Sequence, residues 1–248
     1  MMETLLAPLR LVFSSHNLWY WIATSVLLSA LLNGLVWRCR RLAATRTHPS
    51  FRWLLSFLRE GGRFLYFVGL PYVALVGGLI PSTEAGLVNL EWLRDLTLSL
   101  PMGLGAFLVL LILRAVVLWR EKNAPGGLVP WEPPHSFWVP LREGVYQEIH
   151  WAFYRSAPLI TMHDRSQGIA LGLGIVALEA WLNPAWRALW RDPGQVPAAL
   201  RTAGLAVLMA VVFGITGNLW VTVGLHLVVD GACGWAWPRV VNVPQLAE

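Results

Sequence analysis

Five ionisable side chains in the second half of the chain have types and spacings that could do chemistry. Glu148 and Arg155 are seven residues apart, and His226 and Asp230 are four apart, so on helices each pair shares one face. Glu179 is a further carboxylate in an apolar stretch. A carboxylate with an imidazole can hold a divalent metal such as zinc. Without a metal, the carboxylate can act as a general base while the imidazole stabilises an oxyanion.

The same residues also have structural interpretations, which the sequence leaves open. Glu148 and Arg155 can form an ion pair that joins helices, and His226 with Asp230 can form a hydrogen-bonded clasp. His226 could instead be an axial ligand of a haem or a pigment. His150 lies about 200° around a helix from Glu148, so we expect it to face away from that carboxylate.

The composition places these residues in a membrane protein. Of 248 residues, 56% are hydrophobic and only 13% are charged, whereas soluble domains have about 25% charged residues. The net charge of +5 does not indicate nucleic-acid binding, because the basic residues lie between the apolar stretches. The two cysteines, Cys39 and Cys233, form no CxxC motif, and no disulfide framework is expected.

Hydropathy predicts an all-α fold, a polytopic transmembrane helix bundle of about seven spans with one or two interfacial helices. The predicted spans are residues 17–37, 63–80, 101–119, 140–161, 168–182, 198–216 and 219–235. Residues 51–63 and 89–100 have the pattern of helices lying in the membrane interface. Gly168 and Gly172, one turn apart, predict a close contact between two helices.

Basic residues predict the orientation and the organisation of the bundle. Most Arg and Lys fall in alternate loops, which places the N-terminus outside and the C-terminus in the cytoplasm of a cell (inner or plasma) membrane protein. Residues 1–139 would hold the first three spans, 140–237 a core of four spans, and 238–248 a polar tail. Together they would form one integral membrane domain.

Two stretches of the core resemble a known family. "EGVYQEIHWAFYRSAPL" and "TGNLWVTVGLHLVVDG" look like motifs of the CPBP family, the CAAX protease and bacteriocin-processing (Abi) family of intramembrane metalloproteases. That family has a Glu-Glu-x-x-x-Arg motif, then Phe-x-x-x-His, then His-x-x-x-Asn or His-x-x-x-Asp. The late motif matches at His226 and Asp230.

The other two motifs depart from the family pattern. Gln147 stands where the family has its first Glu, and Ala152 stands where it has the Arg, with Arg155 three residues later. Glu179 occupies the region where the middle His is expected. These departures leave two possibilities open, an active protease and a divergent member that has lost proteolysis.

The resemblance implies a site and a reaction. Glu148, His226 and Arg155 would be catalytic, with Arg155 orienting Glu148, and the metal ligands would be Glu148, Glu179, His226 and Asp230. The reaction would be hydrolysis of a peptide bond near the cytoplasmic interface by a Glu-activated water. The alternative is a catalytically inactive subunit or scaffold of a larger membrane complex. Expected partners are membrane lipid, with either a peptide or membrane-protein substrate or the subunits of a complex, and no nucleic acid.

Overall fold

The described residues are entirely helical in their regular structure. The computed structural model describes residues 18–43, 60–122, 138–162, 164–192 and 195–236. Within these ranges the helices are α1 (Leu18–Ala43), α2 (residues 60–76), α3 (Trp92–Lys122), α4 (Trp138–Thr161), α5 (Arg165–Leu182), α6 (Pro184–Arg191), α7 (Val196–Thr216) and α8 (Leu219–Ala236). The predicted all-α fold is confirmed. The first residues, most of the predicted interfacial helix 51–63 and the polar tail lie outside the described residues.

The described residues contain fewer candidate membrane spans than predicted. Among the described residues, three helices are long and apolar enough to cross a membrane, over Leu18–Arg38, Trp92–Leu113 and Ala198–Thr216. The bent pair α5 and α6 would make a fourth if it counts as one span. A span needs about 20 mostly apolar residues. The apolar part of α8, Leu219–Cys233, is shorter than that, and α4 carries several charges. Seven spans are not supported.

The predicted division between an interfacial helix at 89–100 and a span at 101–119 is wrong. Residues 92–100 and 101–119 belong to the single helix α3, and Pro101 lies inside it. Proline lacks the N–H that bonds to the preceding turn, so it often ends or kinks a helix. In an apolar helix, neighbouring groups can satisfy the freed carbonyl, so the helix continues through the proline.

Helix α4 is the centre of the bundle. It packs against α5, α8, α2 and α1, while α7 packs against α3, α5 and α8. Two glycines of α5 lie close to α4. A Cβ on Gly172 would lie 2.8 Å from Cγ of Arg155, and one on Gly168 would lie 3.1 Å from Leu159. The close helix contact predicted at these glycines is confirmed.

The turn between α7 and α8 is fixed by the "TGNLW" residues. Gly217 ends α7 with a φ of +67°, a left-handed conformation that favours glycine. The Asn218 side-chain oxygen accepts hydrogen bonds from two backbone N–H groups at the start of α8, at 3.1 and 3.2 Å. Its amide nitrogen donates to Oδ2 of buried Asp95 at 2.9 Å. These contacts set where α8 begins and therefore the position of His226 along it.

Candidate functional site

Glu148, Arg155 and His226 meet in the middle of the bundle, and we call them the Glu148 centre. Oε1 of Glu148 lies 2.7 Å from Nδ1 of His226, a contact between α4 and α8. Nη2 of Arg155 lies 3.7 Å from Oε2 of Glu148. All three side chains are buried, and that of Glu148 is 0% exposed. The carboxylate therefore lies between a guanidinium and an imidazole.

The imidazole of His226 is held by two residues of α4 that are seven apart. A Cβ on Gly144 would lie 3.4 Å from Cδ2 of His226 and 2.8 Å from Cδ2 of Leu227, so α4 and α8 are close together at this glycine. The ring of Trp151 stacks on the imidazole with 5.7 Å between centroids and 26° between planes. Spacing of i and i+7 puts both residues on the face of α4 that meets α8.

Arg155 has an aromatic partner as well as the carboxylate. Its guanidinium lies 4.4 Å from the centroid of the Phe213 ring on α7, a distance typical of a cation–π contact. Its Nε and Nη2 atoms, and Oε2 of Glu148, have no hydrogen-bond partner among the described residues. The charges of Arg155 and Glu148 therefore compensate each other mainly because they are close, and not through a hydrogen bond. Three polar atoms keep their hydrogen-bonding capacity, which is uncommon for buried groups.

Glu179 lies in a second cluster, which we call the Glu179 centre: Glu179, Tyr66, Tyr154, Ser25 and His150. The Tyr66 hydroxyl donates to Oε1 of Glu179 at 2.7 Å. The oxygens of Tyr66, Tyr154 and Ser25 lie within 3.0 to 3.1 Å of one another. Four helices, α1, α2, α4 and α5, contribute to this cluster. Its carboxylate has hydroxyl and imidazole partners in place of a guanidinium.

His150 belongs to the Glu179 centre, and the prediction that it faces away from Glu148 is confirmed. Its Nε2 lies 3.6 Å from Oε2 of Glu179. The imidazole is surrounded by the rings of Tyr66, Tyr154 and Phe67, with centroids 4.6, 4.4 and 4.9 Å away. Tyr66 and Phe67 lie on the π-helical turn Leu65–Gly69 of α2. Such turns are rare and occur frequently at functional sites.

Charged contacts at the start of α4 hold α2 in this position. Arg63 forms an ion pair with Glu143, and Arg142 lies 2.9 Å from Glu60. In the first pair the arginine is on α2 and the glutamate on α4, and in the second pair the positions are reversed. They fix the register of the two helices, and with it the approach of Tyr66 to Tyr154 and Glu179.

The structure places Asp230 away from both centres. Its Oδ1 lies 3.3 Å from Nε of Arg201 on α7. Of the four predicted metal ligands, then, Glu148 and His226 come together, while Glu179 and Asp230 have other partners. Over the described ranges no group of three or more His, Cys, Asp or Glu side chains could hold a metal.

The residues at Glu148 do not fit a zinc site. Zinc in proteins usually has three or four protein ligands. The Glu148 centre offers two candidate ligands and places a guanidinium beside them, where it would repel a cation. The zinc ion stays a prediction, and no step below depends on it.

Sequence reasoning missed the hydroxyl groups of the Glu179 centre, Tyr66, Tyr154 and Ser25. One signal was present, because Tyr154 follows His150 by one helical turn and shares its face. The approach of Tyr66 depends on the π-helical turn, which hydropathy does not indicate. The position of Glu179 depends on helix α5, which carries it. Asp164 caps the start of α5 by accepting a hydrogen bond from the Ser166 N–H at 2.7 Å. Hydrogen bonds from Ser166 hold the pKa of the Asp164 carboxyl below its usual range.

Comparison of the chain with protein-family models, with curated proteins and with solved structures gives no match. The resemblance to the CPBP family therefore rests on the motif residues alone, of which His226 and Glu148 are in contact and Glu179 and Asp230 are not.

Proposed function

We propose that the chain is a CPBP-like intramembrane hydrolase that cleaves a peptide bond near the cytoplasmic interface, with Glu148 as the general base. The observation that supports this most is the 2.7 Å contact of Glu148 with His226, which joins the first and last family-like motifs across α4 and α8. A carboxylate held by an imidazole is a common arrangement for moving protons.

The proposed role of each residue follows from which of its atoms already have a hydrogen-bond partner. The Nδ1–H of His226 donates to Oε1 of Glu148, so Oε2 is the oxygen that accepts a proton from water. The resulting hydroxide oxygen bonds to the carbonyl carbon of the substrate. Glu148 then passes the proton to the amide nitrogen as the C–N bond breaks. Arg155, with Nε and Nη2 lacking hydrogen-bond partners in the described structure, is the donor for the oxyanion.

The test of this proposal is Glu148→Gln in the full chain. Gln keeps the shape of Glu and can still accept from His226, but it cannot take a proton. The probe is a fluorescently labelled, prenylated CAAX-type peptide, and new protein termini in the same membranes are counted by mass spectrometry. We expect cleavage to fall by about 10²-fold or more.

The matched control is Glu91→Gln, because Glu91 forms an exposed pair with Arg94 away from the site. We expect this control to cleave the peptide at the wild-type rate. Equal cleavage by the wild type and by Glu148→Gln would contradict the proposal.

A second candidate is the inactive subunit or scaffold, and the burial of the Glu148 centre favours it. Glu148 is 0% exposed and both its oxygens contact basic side chains, so a substrate must separate α4 from α8 to reach it. Under this alternative the wild type cleaves nothing, and Glu148→Gln only destabilises the protein. Removing one partner from a buried ion pair costs about 3–5 kcal/mol. Chemical unfolding of both proteins in detergent, beside the cleavage assay, separates the two functions.

The topology that goes with the hydrolase is an outside N-terminus and a cytoplasmic C-terminus. The loop distribution of Arg and Lys supports it. Reporter fusions at the two ends, one active only in the cytoplasm and one only outside, test it directly. A cytoplasmic signal from the N-terminal fusion would contradict this orientation.

A further inference from the structure

Helix α6 has the shape and composition of a helix lying on a membrane surface. It follows α5 after a bend of 82°, so it runs across the end of the bundle. Asn183 caps it by accepting from the Ala185 N–H at 2.9 Å, and Pro184 is its first residue. Its sequence "PAWRALWR" puts two arginines and two tryptophans each four residues apart. Each pair therefore shares a face, and charged and aromatic faces together are typical of interfacial helices.

A cavity of about 390 Å³ lies between α6 and the end of α1. It is lined by Trp37, Pro184, Arg187, Ala188, Arg191 and Asp192. Both arginines are exposed, and in the part of the chain that the structure describes neither has a carboxylate within 4.0 Å. With one carboxylate against two guanidinium groups, the lining has a formal charge of +1. Its volume is within the range of about 300–1,000 Å³ that is usual for small-ligand sites.

The cavity lies at the level where an apolar helix leaves the membrane. The apolar stretch of α1 ends at Arg38, next to Trp37 in the cavity wall. Tryptophan is enriched at the boundary between the hydrocarbon and the headgroups. Arginine binds phosphate through two parallel N–H groups, and basic pockets between helices bind anionic headgroups.

We propose that this cavity, between Trp37 and the arginines Arg187 and Arg191, binds the phosphate of an anionic phospholipid headgroup. The two guanidinium groups bind the phosphate oxygens. Trp37, in the cavity wall, contacts the glycerol region.

The test measures lipid bound to the full chain in non-ionic detergent. Native mass spectrometry counts bound phosphatidylglycerol, with phosphatidylcholine as the zwitterionic lipid. Thermal unfolding is followed in parallel with each lipid and with inorganic phosphate. We expect phosphatidylglycerol to bind and to raise the unfolding temperature, and phosphatidylcholine and phosphate to do neither. In the double variant Arg187→Gln/Arg191→Gln, affinity for phosphatidylglycerol should fall by roughly tenfold or more, since each surface arginine contributes substantially to anionic-lipid binding.

The matched control is Arg94→Gln, which removes an exposed arginine at the start of α3, at the other end of the bundle. It should bind phosphatidylglycerol as the wild type does. Unchanged binding in the double variant would overturn the site. Equal stabilisation by inorganic phosphate and by phosphatidylglycerol would show a free-anion site and overturn the lipid assignment. Because both arginines are exposed, folding of the double variant is not at risk.

Discussion

The carboxylates of Glu148 and Glu179 differ in one partner, because a guanidinium lies beside Glu148 and a tyrosine hydroxyl donates to Glu179. Glu148 has a guanidinium at 3.7 Å and an imidazole at 2.7 Å, and its side chain is 0% exposed. Glu179 accepts from the Tyr66 hydroxyl at 2.7 Å, has His150 at 3.6 Å, and is 14% exposed. The two centres lie on different faces of α4. The Glu148 centre joins α4 to α8, whereas the Glu179 centre joins α1, α2, α4 and α5.

The difference shows how each carboxylate is stabilised in an apolar bundle. A fully buried anion depends on the guanidinium beside it, because desolvation costs several kcal/mol per ion. A partly exposed carboxylate can instead be stabilised by several hydroxyl donors, each contributing a moderate amount. We therefore expect the Glu148 centre to respond to the loss of charge and the Glu179 centre to the loss of hydrogen bonds.

The largest effect is expected at Arg155. Arg155→Met keeps most of the side-chain volume but leaves Glu148 without its cation, and this should lower the free energy of unfolding by about 3–5 kcal/mol. Chemical unfolding in detergent measures it.

The double variant Glu148→Gln/Arg155→Met tests whether charge is the cause. It should recover a large part of the loss, because neither charge is then buried alone. Losses in the two single variants that simply add in the double variant would contradict the electrostatic explanation.

A smaller loss is expected from Tyr66→Phe at the Glu179 centre. The change removes a hydroxyl that donates to Glu179, and hydrogen bonds to charged groups contribute about 1.5–3 kcal/mol. Tyr72→Phe is the control, because Tyr72 is 62% exposed. An effect of Tyr66→Phe no larger than that of the control would show that the hydroxyl cluster does not stabilise Glu179.

The packing beside Arg155 gives a third prediction. Gly172→Ala places a Cβ 2.8 Å from Cγ of Arg155, and overpacking of this kind costs about 1–3 kcal/mol. Gly174→Ala, two residues along α5, meets nothing within 4 Å and should be neutral or slightly stabilising. The unfolding midpoints of the two variants should therefore move in different directions. Equal midpoints would mean that the contact of α4 with α5 is looser than described.

The smallest effect is expected at Asp164, which caps the helix that carries Glu179. Hydrogen bonds from Ser166 lower the pKa of this carboxyl in the folded protein, so its contribution to stability is present above the unfolded pKa. It is lost as the pH falls through the folded pKa. The wild type should therefore be more stable than Asp164→Ala at neutral pH, and the difference should shrink in acid. A difference that is constant with pH would contradict this origin.

The sequence was sufficient to predict most of the long helices and part of the Glu148 centre. Apolar stretches marked most of the helices, but they divided α3 and missed α6. They also overcounted spans, because hydropathy does not separate a crossing helix from a short buried one such as α8. The spacing of Glu148 and Arg155 predicted their shared face, and the family-like motif suggested His226 as a partner.

The sequence could not indicate which residues Glu179 and Asp230 would contact. Glu179 and Asp230 were predicted to share a metal with Glu148 and His226, yet position along a helix does not decide which neighbour a side chain meets. Tyr66 reaches Glu179 because a π-helical turn redirects it, and Arg201 reaches Asp230 from α7. Both contacts depend on how neighbouring helices are rotated, which tertiary packing decides.

The contact of Glu148 with His226 can be measured most directly by solid-state NMR of the full chain in lipid. Dipolar recoupling between ¹³C-labelled glutamate carboxyls and ¹⁵N-labelled histidine rings gives the distance, with Glu148→Gln used to assign the signal. The 2.7 Å separation of Oε1 and Nδ1 predicts a carbon–nitrogen distance of roughly 3.5 Å for this pair. A short distance lost in Glu148→Gln would establish the contact. The same dephasing in the wild type and in the variant would show that Glu148 and His226 do not meet.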